Sequence, residues 1–101
     1  MNAVTHLPKT NPDTCYEVTL LKAMAHPVRL QILRTLAAEG EMQVTDLNAL
    51  TTMGQSAFSQ HLKVLRDAGL VDVRRESLNI YYTLRRRQGS ELLQTMSELF
   101  S

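Results

Sequence analysis

Between Gln55 and Lys63 the chain reads QSAFSQHLK. Phe58, Leu62 and Leu65 recur at helical spacing, and with Ala57 they make a face that turns to a core. That leaves Gln55, Ser56, Ser59, Gln60 and Lys63 pointing outward. Amides and hydroxyls of this size hydrogen-bond to base edges and phosphates, which is the chemistry of a helix laid in a DNA major groove. His61 lies in the same run and reads as a packed or DNA-facing residue. Lys63 and Arg66 are placed to meet phosphates towards the helix end, and Arg74 and Arg75 follow in the next element.

Other chemistries find little support. No Ser/His/Asp grouping, carboxylate pair or phosphate-binding glycine loop stands out, so the chain is not read as an enzyme, and no cofactor is implied. The three histidines, His6, His26 and His61, are scattered, and no pair has the one-turn spacing of a helical metal site. Cys15 is the one cysteine, which rules out an intrachain disulfide and a zinc site built from cysteines of this chain. It is a candidate redox thiol, with an inert thiol as the alternative.

These side chains need elements to hold them. Residues 1–10 read as a flexible N-terminal tail, and 11–101 as one domain. Asn11-Pro12 starts a first helix as N-cap and first helical residue, carrying Val18, Leu21 and Ala25. His26-Pro27 interrupts it, and Pro27 opens a second helix that Gly40 ends. Thr45 reads as the N-cap of a short third helix around Asp46–Leu50. After a turn at residues 51–54, a fourth helix runs over about Gln55–Ala68, stopped by Gly69. Two strands follow, residues 70–75 and 80–84, in which Val71, Val73, Tyr82 and Leu84 mark a buried face. A last helix covers about Ser90–Phe100. The order α-α-α-α-β-β-α is mainly α with a small β-hairpin wing: a winged helix-turn-helix.

The last helix is apolar on more than one side. Leu92, Met96 and Leu99 form one stripe, with Leu93 and Phe100 beside it, more than so small a domain can bury alone. With Val18 and Leu21 of the first helix, these residues are the expected interface of a homodimer.

The runs LLKAMAHPVRLQIL, SAFSQHLKVLRDAGLV and RRES followed by NIYYTL resemble the ArsR/SmtB family of bacterial winged-helix regulators over about residues 18–84. The resemblance implies a homodimeric repressor that binds an inverted-repeat operator in double-stranded DNA. Its fourth helix would read the major groove through Gln55, Ser56, Ser59, Gln60 and His61, and the wing would contact the backbone through Arg74 and Arg75. The chain also departs from the family. Where one family metal site places cysteines, it has Gln43 and Thr45, which are poor ligands for soft metals. Where another places histidines and carboxylates on the last helix, it has Glu91 and Glu98 without a histidine. A thiol-sensing branch carries a cysteine pair near positions equivalent to Arg34 and Ser101, and neither is cysteine here. No metal site is therefore expected. Near the recognition turn the family favours glycine where this chain has Thr52, so the turn is expected to be remodelled, with an ordinary negative φ at Thr52.

Composition agrees without deciding. The chain has 101 residues, 44% hydrophobic and 21% charged, with net charge +1. Residues 55–87 hold seven Lys and Arg against three Asp and Glu, whereas 1–54 hold four against five. The basic segment coincides with the proposed DNA surface. No apolar run approaches the roughly 20 residues of a membrane helix, and the N-terminus has no signal-peptide pattern, so a cytoplasmic protein with no membrane partner is expected. Two other readings keep the fold. One adds an unidentified apolar inducer lined by Met24, Met42, Met53 and Met96; the other makes the chain an anti-repressor or other protein-interaction module.

Overall fold

The computed structural model describes residues 15–100. The expected tail and the Asn11-Pro12 helix start lie outside the described residues. Helix α1, Tyr16–Met24, is cut short because the residue before a proline avoids the helical region: His26 is extended, with φ −155° and ψ 134°. His26 instead caps α2, Pro27–Glu39, its Nδ1 accepting the N–H of Val28 at 3.1 Å. Gly40 ends α2 at φ 83°, a conformation that costs glycine little.

A two-residue strand, β1 (Met42–Gln43), leads directly into α3, Val44–Ala49. Pairing with a later strand holds Gln43 extended at ψ 144°, so the helix begins at Val44 and Gln43 takes the cap position. Thr45, the expected cap, lies inside α3. Helix α4, Gln55–Asp67, follows a turn and ends where Gly69 adopts φ 81°. Strands β2 (Val71–Glu76) and β3 (Asn79–Leu84) form the hairpin, closed by Ser77-Leu78 with Ser77 at φ 56°. The antiparallel sheet has order β1-β3-β2, with Met42 opposite Tyr82 and Arg74 opposite Tyr81.

The expected final helix begins earlier and less regularly. A π-helical stretch, Arg86–Glu91, runs into α5, Leu92–Phe100. Gly89 explains part of this path: a Cβ there would lie 2.7 Å from the Leu70 carbonyl oxygen, so the chain passes closer to β2 than any other residue allows.

Phe58, Leu62 and Leu65 of α4 meet Leu33 and Leu36 of α2, Leu47 of α3, and Leu70 and Val71 at the start of the hairpin in one solvent-free core. Each such burial stabilises by about 1.5–3 kcal/mol. Ala57 departs from expectation and is exposed. It precedes Phe58 by 100° of helical rotation and falls in line with His61 and Val64, beside the buried stripe. The architecture is the mainly helical winged helix-turn-helix that the element order predicts, with β1 and the π-helical stretch as additions.

Candidate nucleic-acid interface

The turn between α3 and α4 is held by side chains. Asn48 Nδ2–H donates to Thr51 Oγ1 at 3.3 Å and to the Met53 carbonyl at 3.1 Å. Thr51 Oγ1 in turn donates to the Asn48 carbonyl at 3.0 Å and accepts the Met53 N–H at 3.2 Å. Such local bonds substitute for the glycine a tight turn otherwise uses. Ser77 alone among the described non-glycine residues has positive φ, so Thr52 takes the ordinary sign expected of it. Gly54 is extended at the N-cap of α4 with open space around it.

Because the Phe58–Leu62–Leu65 side of α4 is buried to within 1% of complete, the helix has one orientation. Gln55, Ser56, Ser59 and Gln60 then stand exposed on its other side over the first two turns. Lys63 and Arg66, also exposed, extend this surface. Lys63 Nζ sits 2.7 Å from Asp67 Oδ2, and Arg66 Nε 3.9 Å from Asp67 Oδ1. Exposed ion pairs made through a single contact, as these are, contribute about 0–1 kcal/mol and exchange readily for a phosphate partner.

His61 is placed differently. It is half-buried, its Nδ1 accepts the Nε–H of Arg29 at 3.2 Å, and its ring lies 4.4 Å from that of His26. Burial first, then the nearby His26 and Arg29 charges, push its pKa below the usual histidine value. It faces the α1–α2 junction, the packed alternative of the two roles the sequence allowed.

On the wing, the structure separates the two arginines. Arg74 is paired with Glu41 and Glu76, both at 2.7 Å. Arg75 is exposed and makes no ion pair among the described residues. Leu78, at the hairpin tip, is 96% exposed. Neither Glu41 nor Arg29 was signalled by the sequence as part of this surface, since each acts through a residue more than thirty positions away.

Of the candidate dimer residues, Leu21, Leu99 and Phe100 are exposed, and Val18, Leu92 and Met96 are half-buried. Leu93 is buried in its own chain's core, because it is the α5 position that faces inward, so it is unavailable to a partner. An open apolar groove of about 960 Å³ runs between α1, α2 and α5, lined by Leu21, Met24, Leu30 and Met96 with Arg34 at its rim. Met42 and Met53, expected beside Met24 and Met96 in an inducer pocket, do not line this groove. Cys15 is half-buried, with Sγ 3.4 Å from Glu17 Oε2. Among the described residues no group of three or more His, Cys, Asp or Glu could hold a metal ion, and no helix is long and apolar enough to cross a membrane.

The chain is also similar to known regulatory proteins. Residues 26–73 match the family profile described as bacterial regulatory protein, arsR family. The chain is 43% identical over 81 residues to the biofilm growth-associated repressor of Agrobacterium fabrum (strain C58), covering 80% of this chain and 68% of the relative. It is 37% identical over 95 residues to the transcriptional activator HlyU of Vibrio cholerae serotype O1, covering 94% of this chain and 87% of the relative. The solved structure of HlyU from Vibrio cholerae N16961 superposes with TM-score 0.78 at 37% identity, covering 90% of this chain and 98% of that one.

Proposed function

The chain belongs to the ArsR family of bacterial regulatory proteins and is a DNA-binding transcriptional regulator, not an enzyme, and on that footing we propose that it is a homodimeric repressor of an inverted-repeat operator. The observation that carries this reading is the exposed polar row Gln55, Ser56, Ser59 and Gln60 on the second helix of a helix-turn-helix whose opposite side is locked in the core. Side chains of that length, on a helix with a fixed orientation, suit direct readout of base edges. Lys63, Arg66 and Arg75 supply cations for the flanking phosphates.

A dimer can place two copies of α4 in successive major grooves on one face of the duplex, and a two-fold axis matches a palindromic site. Exposed Leu21, Leu99 and Phe100 and the apolar groove beside Met96 support α1 and α5 as its interface. The repressor sign follows the name of the Agrobacterium relative; operator occupancy would exclude polymerase from the promoter. Selection of duplexes from a random pool, followed by footprinting, tests the proposal. Enrichment of an inverted repeat protected on both half-sites is expected, and binding without sequence preference would reject it. A reporter placed behind the selected site reads the sign.

A further inference from the structure

Each of the three guanidinium nitrogens of Arg74 donates a hydrogen bond to a carboxylate. Its Nε–H donates to Glu41 Oε2 at 2.9 Å and its Nη2–H to Glu41 Oε1 at 2.7 Å, a two-point fork onto the α2–β1 connection. Its Nη1–H donates to Glu76 Oε2 at 2.7 Å. The guanidinium carbon lies 4.4 Å from the ring centroid of Tyr81, its cross-strand partner in the hairpin. Fork geometry and ring contact both suit arginine specifically and hold a planar cation in one orientation. Two carboxylates surround this one cation, so a phosphate approaching it meets net negative charge. The fork also holds the Glu41 carboxyl below its ordinary range, which keeps it ionised at neutral pH.

Arg75 stands in the opposite situation. It follows Val71 and Val73 in two-residue steps, so it projects from the sheet face that packs towards α4, not from the Arg74–Tyr81 face. It has no carboxylate partner among the described residues.

We infer that Arg74 is a positioning residue of the wing and not a phosphate contact: clamped by Glu41 and Glu76 over Tyr81, it fixes the hairpin against the α2–β1 connection, while Arg75 carries the wing's charge to the DNA. This assignment rests on the DNA-binding reading above.

The test measures duplex affinity by fluorescence anisotropy against KCl concentration. One duplex is selected by the wild-type protein from a random pool, and the other is its scrambled counterpart. Arg75→Ala is expected to flatten the salt slope by about 1 on both. Arg74→Ala is expected to keep the wild-type slope and to weaken the selected duplex by about three- to tenfold. Glu41→Gln decides between the roles. A clamp predicts weaker binding to the selected duplex, with the Arg74→Ala/Glu41→Gln double variant no weaker than either single one. A phosphate contact predicts tighter binding, because an anion beside the DNA is removed and the cation is released. A slope lowered by about 1 in Arg74→Ala, or tighter binding by Glu41→Gln, would overturn this assignment alone. A wild-type protein that binds no duplex in a salt-dependent way would overturn the DNA-binding reading, and this assignment with it.

Discussion

Arg29 on α2 and His61 on α4 share one hydrogen bond, Nε–H to Nδ1, at 3.2 Å. The same guanidinium's Nη1 donates to the carbonyls of Lys22 and Ala23, both at 3.2 Å. One side chain therefore ties the end of α1 and the start of α2 to α4. A protonated His61 can no longer accept at Nδ1 and would set a second cation beside Arg29. Its pKa is lowered in the fold, so between that value and the unfolded value of 6.5 the unfolded chain binds the extra proton. Stability from this source is full above about pH 6.5 and falls as pH drops below it. Urea midpoints at pH 7.5 and 5.5 check this: His61→Gln, which keeps an acceptor and does not titrate, should lose less on acidification. An equal loss in both proteins would refute it.

Phe58 and Ser59 are neighbours with opposite roles. Phe58 is 1% exposed, and Phe58→Ala should cost about 3–5 kcal/mol, a large share of the roughly 5–15 kcal/mol of a small domain. Ser59→Ala, on the exposed side, should stay within about 0.5 kcal/mol. Urea denaturation of the two variants separates the helix's buried side from its exposed side.

Gln60→Ala and Ser56→Ala should weaken the selected duplex by about 1–3 kcal/mol each and the scrambled duplex much less. Equal losses on both duplexes would remove base reading from α4.

The glycines predict changes of opposite sign. Gly54→Ser meets nothing within 4 Å and supplies a better N-cap for α4, so it should raise stability by about a few tenths of a kcal/mol. Gly89→Ala places a Cβ 2.7 Å from a backbone oxygen that cannot swing aside, and should cost about 1–3 kcal/mol. Thermal melting of both variants tests the signs.

Leu99 is 74% exposed and Phe100 81%, so neither contributes much to the single chain's own core. Leu99→Glu should leave the fold intact by circular dichroism and shift sedimentation from dimer to monomer. A wild-type protein that sediments as a monomer at micromolar concentration would refute the dimer.

The α4 stripe was legible because Phe58, Leu62 and Leu65 repeat within one helix, and the hairpin because Val71, Val73, Tyr82 and Leu84 alternate within short strands. Strand β1 was not, since two residues carry no period and the partner, Tyr82, is distant in sequence. The cap of α3 falls at Gln43 and not at Thr45 for the same reason: the pairing that moves the helix start is not local. The exposed polar side of α4 was legible by residue type, whereas the placement of His61 and Arg74 was not. Their neighbours Arg29 and Glu41 are brought up by packing, and nothing in the local sequence marks them.

Strand β2 lies at the edge of the three-stranded sheet, with no further strand paired to its outer side among the described residues. Four of its six residues, Asp72, Arg74, Arg75 and Glu76, are charged. A strand from another molecule that docked there would bring its own side chains against these charges and strip their water. The wing can therefore protrude, with a bare leucine at its tip, and still resist templating the strand-on-strand aggregation that an open sheet margin otherwise invites.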